Sequence, residues 1–328
     1  MVEQLIQLME AGDYEGCLRA AEQVLLRGGL GMVQMAHVNL VISRCKLASN
    51  DAFGAIPSGI QATKMARDAK EWDLFGRALL TLGAAYVGAN NFTEALEQFY
   101  TFLKHLGDFD RSRRLEGAVW RQLGITYGRI LETEKAVDSL ERARRWFRRN
   151  ENEHSHFICG SDLVSIYLGR REREPEASIE PVRTILAEQK LYAKRTPHEL
   201  LYKIQYLYNQ GEYYFYTGRI GRAMVAAMQS MDQAQHDHPH RFQCHMLLHR
   251  CTVKIGQGKE ALGYAVAARL EAMKGRHYEL ELLAVQAITE TIKREGAQVV
   301  EALEKDYREV GLELSEYLSP GIVRSLVN

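Results

Sequence analysis

A chain of 328 residues with 42 basic and 42 acidic side chains has no global field that would recruit nucleic acid or an anionic membrane. Its 46% hydrophobic content can fill a large core, and no stretch approaches the ~20 apolar residues of a membrane-spanning helix. With six prolines and with Ala, Leu, Glu, Gln and Arg outweighing runs of Val or Ile, the composition favours helix over strand, so the expected class is all-α.

The charge is unevenly spread. Arg111 to Arg149 holds eleven basic and five acidic residues, whereas Glu279 to Glu316 holds ten acidic and four basic, which predicts an electric dipole along the molecule. The five cysteines, Cys17, Cys45, Cys159, Cys244 and Cys251, are odd in number and lack CxxC spacing, as expected of free thiols in a reducing cytosol. "MVEQLIQLMEAGDYEG" is acidic and amphipathic and does not read as a signal peptide. A cytoplasmic protein is expected.

In chain order, "LIQLMEAGDYEGCLRAAEQVL" predicts a first helical hairpin within residues 1–30. A weak repeat centred on Ala55 follows, its "AIPSGI" carrying the helix-unfriendly Pro57. "LLTLGAAYVGANNFTEALEQFYTFL" then places Leu79, Leu82, Gly83 and Tyr86 on one face of a helix and Ala95, Phe99 and Phe102 on the next. In "WRQLGITYGRILETEKAVDSLERARRWF" the same offsets give Trp120, Leu123, Gly124 and Tyr127, then Ala136, Leu140 and Ala143. Gly124 and Ala136 let two backbones approach closely while Trp120 and Tyr127 fill the space beside them.

A weaker copy centres on Ala177, where Pro175 and Pro181 threaten the second helix, and the long interval from Ala177 to Ala223 predicts an extended connection or longer helices near "AKRTPHEL". "LYNQGEYYFYTGRIGRAMVAAMQS" restores the pattern with Leu207, Gly211, Tyr214, Ala223, Ala227 and Ser230, and another weak copy centres on Ala261. The alanines Ala55, Ala95, Ala136, Ala177, Ala223 and Ala261 are separated by 40, 41, 41, 46 and 38 residues. "LLAVQAITETIKREGAQVVEALEKDY" predicts a last hairpin within 278–328, followed by a short helix to about Leu318 that stops before Pro320. One such hairpin cannot bury its apolar face alone, so the array is expected to stack, with the 1–30 and 278–328 segments as caps on a single 1–328 domain.

The pattern Trp-x2-Leu-Gly-x2-Tyr followed by Ala resembles the tetratricopeptide repeat (TPR), and "WRQLGITY" matches its first helix without substitution. Repeats near 40 residues exceed the family's usual ~34, which implies longer helices, as in the TPR domains of bacterial peptide-pheromone receptors of the Rap and PlcR type. The resemblance implies a right-handed α-α superhelix of about seven or eight hairpins, and since no helix-turn-helix or zinc-finger motif precedes the repeats, no DNA-binding domain is expected with it. It also implies a concave groove lined by the first helix of each repeat. Transferred position by position, the groove residues are Arg77, Arg121, Arg129, Gln205, Tyr208, Glu212, Tyr216, Gln243 and Arg250. Arg121 and Arg129, eight apart, would share a face able to grip a carboxylate or phosphate, whereas Arg144 and Arg148 would lie on the convex side. The asparagines that TPR peptide receptors place on their groove are not evident, Asn209 being the nearest.

"HDHPHRFQCHMLLHRC" gathers His236, His238, His240, His245 and His249 beside Cys244 and Cys251. His245 and His249, four apart on a helix, have a metal-ligand spacing, whereas Pro239 makes the first three histidines look like a turn between hairpins, and no HExxH or second carboxylate-bearing motif accompanies the pair. No phosphate-binding or nucleophile motif is present either. The paired arginines Arg113/Arg114, Arg144/Arg145, Arg148/Arg149 and Arg170/Arg171 lack a reading module for nucleic acid. The chain is therefore expected to be a non-enzymatic scaffold for a protein or peptide, including one with acidic groups, without a cofactor. The alternatives are a receptor that changes conformation on binding a short signalling peptide and, resting on the histidines alone, a metal-dependent hydrolase.

Overall fold

The computed structural model describes residues 2–196, 199–309, 313–314 and 317–318, and the side chains of all of these except Ser112 and Arg113. Among the described residues there are sixteen α-helices and no strand. They run α1 (Val2–Glu10), α2 (Tyr14–Arg27), α3 (Met32–Ala48), α4 (Ala52–Asp68), α5 (Trp72–Gly88), α6 (Phe92–Lys104), α7 (Glu116–Arg129) and α8 (Thr133–Arg149). The series continues with α9 (Glu153–Arg173), α10 (Glu180–Arg195), α11 (Leu200–Tyr216), α12 (Ile220–Gln233), α13 (His238–Lys254), α14 (Gly258–Lys274), α15 (Tyr278–Glu295) and α16 (Gln298–Glu309). No described helix is long and apolar enough to cross a membrane. Contacts divide the chain into two compact units, Met1–Ile166 and Tyr167–Asn328.

The repeat length follows from local structure. α3, α4, α5, α13 and α14 each have 17 residues, and three-residue turns join them, so two helices with two turns account for forty residues. Each turn closes in the same way. After α3, the Asp51 N–H donates to the Lys46 carbonyl at 2.8 Å and the Asn50 N–H to Leu47 at 3.0 Å, while Asn50 takes φ 61°. This satisfies the last carbonyls of the helix through one left-handed residue. Gly218 and Gly256 occupy the same place without strain, both at φ 74°.

Packing follows the pattern read from the sequence. Ala55, Ala95, Ala136, Ala223 and Ala261 are all fully buried, each at a close crossing of neighbouring helices. In the first unit Leu74, Phe75, Leu79, Phe99, Phe102, Val119 and Leu123 share one core with Ala95 and Ala136. In the second unit Ala223, Ala227, Leu247 and Leu248 form one cluster, and Leu262, Val266, Ile288 and Leu303 another. All five cysteines are buried free thiols.

The Ala177 repeat needs correction. Ala177 lies in the bend between α9 and α10, where its carbonyl accepts an Arg171 N–H at 3.0 Å. The helix starts only at Glu180, so Pro181 falls in the first turn, where a missing N–H costs nothing. Val182, fully buried, takes the packing role, and it stands 46 residues after Ala136 and 41 before Ala223. The long interval therefore arises from the 21-residue α9 and the bend after it, not from the connection near "AKRTPHEL". Pro57 lies inside α4, which runs through it. The short helix expected towards Leu318 lies mostly outside the described residues.

Candidate functional site

Counting back from the buried alanine of each repeat identifies the residues that share the free face of the preceding helix. Arg77, Gln205 and Gln243 stand eighteen positions before theirs, Arg121 and Tyr208 fifteen, Glu212 and Arg250 eleven, Arg129 and Tyr216 seven. These offsets advance by three, four and four, one stripe along a helix. Arg44, eleven before Ala55, belongs to the same stripe and was overlooked because the Ala55 copy is weak. In each unit this stripe borders a recess.

In the first unit a recess of about 400 Å³ is lined by Arg44 of α3, Leu80, Thr81 and Ala84 of α5, Ala118, Arg121 and Gln122 of α7, and His154, Ser155 and Ile158 of α9. Arg121 is not a free cation there. Its Nε donates to Asp162 Oδ2 at 2.6 Å and its Nη2 to Asp162 Oδ1 at 3.3 Å, tying α7 to α9. Burial acts against its charge, but Asp162 outweighs it and the pKa is raised. Arg129 sits two turns on, exposed, and does not line the recess, so the two arginines do not form a joint clamp. Arg77 is half-buried one turn before Thr81.

A stability difference follows. Arg121→Ala removes a two-pronged, half-buried ion pair and should lower unfolding free energy by about 1 kcal/mol, whereas Arg129→Ala should leave it within ~0.5 kcal/mol. Urea denaturation of the two variants measures this, and equal losses would deny the α7–α9 tie any weight. Arg144 also departs from expectation: its side chain is only 12% exposed and lies 3.5 Å from Glu141, so it is not a solvated convex charge. Arg145 and Arg149 are exposed and serve better as charge controls.

In the second unit the predicted residues converge. Arg250 Nη1 donates to both Glu212 oxygens at 3.1 and 3.0 Å and its Nη2 to the Tyr216 hydroxyl at 2.8 Å. The Tyr208 hydroxyl donates to Glu212 Oε1 at 3.0 Å, and that of Tyr216 to Glu172 Oε2 at 3.0 Å. The Arg250 guanidinium also lies 4.4 Å over the Phe215 ring, a favourable cation–π geometry. Burial alone would lower its pKa, but Glu212, Tyr216 and Glu172 raise it above the ordinary arginine value, while burial pushes Tyr216 up to about 12. Tyr208, Glu212, Arg250 and exposed Gln243 border a recess of about 410 Å³ whose apolar wall includes Phe242, Met246, Leu247, Leu283 and Ala287, and whose rim adds Gln286 and Glu290; Tyr216, Phe215 and Glu172 hold Arg250 from behind and do not line it.

Gln205 and Asn209 serve the scaffold instead. Gln205 Nε2 donates to Asn209 Oδ1 at 3.0 Å, and the buried Asn209 donates to Gln189 Oε1 at 3.0 Å, joining α11 to α10. Asn209 is thus not displayed to a ligand.

The histidines are dispersed among different partners. His238 Nδ1 meets Glu271 at 2.7 Å, His240 Nε2 meets Ser230 Oγ at 2.8 Å, and His249 Nδ1 donates to the Ala261 carbonyl at 2.9 Å. His245 packs by the Tyr264 ring, with its Nδ1 buried and unpartnered. Among the described residues no three His, Cys, Asp or Glu side chains converge as metal ligands. The i, i+4 pair faces α14 as packing, and the metal reading loses its geometric basis.

No protein-family model matches the sequence, and no curated protein matches it. Solved structures do share its fold. A Rap protein complexed with Competence and Sporulation Factor aligns with a TM-score of 0.61 at 13% identity, over 94% of this chain and 89% of that one. NprR in complex with its cognate peptide NprX gives 0.59 at 13% identity, over 95% and 89%. The apo form of RapI also gives 0.59 at 13% identity, over 88% and 97%. At such identities the likeness is one of fold, and on it the chain has the all-α, TPR-like repeat fold of the Rap and NprR structures.

Proposed function

We propose that this chain is a non-enzymatic receptor for a short peptide, which it holds against the free faces of its odd-numbered helices and which biases its conformation. The observation that carries this reading is the recurrence, in each unit, of a recess of about 400 Å³ bordered by the same helical stripe. Such a volume lies within the ~300–1,000 Å³ usual for ligand sites. In both recesses polar side chains are fixed beforehand by ion pairs, which reduces the ordering cost of binding. A similar fold carries its cognate peptide in the NprR–NprX complex, another is complexed with Competence and Sporulation Factor in a Rap protein, and NprR is also described as a quorum sensor. In this reading the 1–30 hairpin and the 278–328 segment cap the array, and the protein works in the cytoplasm.

The test starts from a pool of random hexapeptides equilibrated with the full chain, with retained members identified by mass spectrometry. A receptor should then show a smaller radius of gyration in solution scattering when saturated with a retained peptide, because ligand bound more tightly to one conformation shifts the population towards it. Binding with an unchanged radius would favour a passive scaffold, and a pool that yields no retained peptide would overturn the peptide reading.

A further inference from the structure

The charges of α12 oppose its own dipole. α8, α10, α14 and α15 each place an acid in the first turn and a base in the last, the order that suits the positive N-terminal and negative C-terminal ends of a helix. α12 has no acid in its first turn and no base in its last; Arg222 stands in the first turn and Asp232 in the last. Both are exposed, and neither closes a hydrogen bond or ion pair with any described residue. Arg222 has only the Tyr214 ring, 6.0 Å from its guanidinium. Between the two charges Val225 is 54% exposed and Met228 38%, and Gln229 is exposed beside them. Arg222, Val225, Gln229 and Asp232 succeed one another at intervals of three, four and three residues, which keeps them on one face. The opposite face buries Ala223, Ala227 and Ser230.

The spacing makes the exposed face its own complement. Arg222 lies five residues before Ala227 and Asp232 five after it, while Val225 and Gln229 lie two before and two after. A second α12 running antiparallel about a twofold axis at that level sets each Arg222 opposite the other copy's Asp232, with the Val225 and Met228 side chains of both copies between. Near-antiparallel packing holds such a register over the ~15 Å from one charge to the other. It also brings each Arg222 to the negative end of the facing helix and each Asp232 to the positive end, which reverses the unfavourable order within one copy. A partner of single charge, acidic or basic, would satisfy one end and oppose the other, whereas a copy of the chain satisfies both. We infer that the exposed face of α12 is a self-complementary contact between two copies of this chain. A single helix crossing belongs among small interfaces, so the dimer is weak and concentration-dependent. The inference stands independently of the peptide-receptor reading.

Sedimentation equilibrium of the full chain from about 1 µM to about 1 mM covers the strength expected of such a contact, and the weight-average mass should rise towards that of a dimer. Arg222→Asp and Asp232→Arg should each weaken association at least about ten-fold, because like charges then meet at both ends. An equimolar mixture of these two variants should associate as the wild type does, since opposite charges face each other again in the mixed pair. Arg145→Asp, the same charge reversal on α8, should leave association unchanged. Far-UV circular dichroism and melting establish that the variants fold, and Val225→Glu tests the same face should either charge variant fail to do so. A wild-type mass that stays monomeric over the whole range would overturn the dimer. Association that survives all three α12 substitutions would overturn the assignment to this face. A mixture that fails to associate would overturn the antiparallel pairing.

Discussion

Gly124→Leu should destabilise the first unit by about 1–3 kcal/mol or more, the cost of overpacking a tight core. A Cβ built at Gly124 would lie 2.5 Å from Leu140 Cγ, 2.9 Å from Leu140 Cδ2 and 3.1 Å from the Ala136 carbonyl oxygen. Leu140 could swing aside, but the carbonyl belongs to α8 and can retreat only if the helix moves. Three further carbons then have no room between α7 and α8. Since α7 also carries Arg121, the same displacement would disturb the first-unit recess. Gly221→Ala is the control, because nothing lies within 4 Å of its added Cβ, and loss of backbone freedom in the unfolded chain should make it neutral or slightly stabilising. For a unit of this size each kcal/mol corresponds to roughly 2–4 °C in melting temperature. An unchanged melting temperature for Gly124→Leu would mean that α7 and α8 do not cross at that residue.

Gly124 was legible because a close helix crossing leaves a local signature: a glycine and an alanine at fixed offsets, flanked by large side chains. The same holds for Gly83, whose added Cβ would run into the Phe99 ring. Repeat spacing likewise placed Glu212 and Arg250 on one stripe, and the structure joins them. What spacing along one helix cannot show is which residue of another helix arrives opposite. Asp162 is 41 residues from Arg121, and nothing in the α7 sequence announces that its guanidinium will be claimed. Arg44 was missed for the opposite reason, since its stripe is regular but the copy around Ala55 lacks the aromatic residues that mark the others. Ala177 misled because an alanine at the right interval looks the same in a helix or in a bend. Pro175 and Pro181 marked the place where the count would fail, and Val182 restores it.

Acid should weaken the second unit through His245, and the size of the effect should be measurable at mildly acidic pH. His245 is 8% exposed, its Nδ1 has no partner, and burial lowers its pKa from 6.5 to about 4, with Glu271 raising it and Arg241 and Lys274 lowering it further. Since the folded pKa lies below the unfolded one, the unfolded chain binds more protons between about pH 4 and 6.5. Stability is therefore greatest above pH 6.5 and falls as pH drops through that window. The shift corresponds to a loss of roughly 3 kcal/mol below pH 4 and roughly 2 kcal/mol at pH 5. His37, His240 and His249 are also lowered, first by burial, and add losses of the same sign. Glu271 is held below its usual value by His238 and Arg241 despite its burial, so its contribution disappears only below pH 4.5 and stays out of the comparison. His245→Leu isolates the one imidazole, since it removes the titrating group and the unpartnered nitrogen while keeping an apolar side chain against Tyr264. Urea denaturation at pH 7 and pH 5 should show the parent losing about 2 kcal/mol more than the variant over that interval. The same pH loss in both proteins would mean that the His245 ring takes up its proton without disturbing the α13–α14 hairpin. A larger loss in the parent would tie acid sensitivity to the helix that carries Gln243 and Arg250, so peptide affinity in the second unit should fall with it.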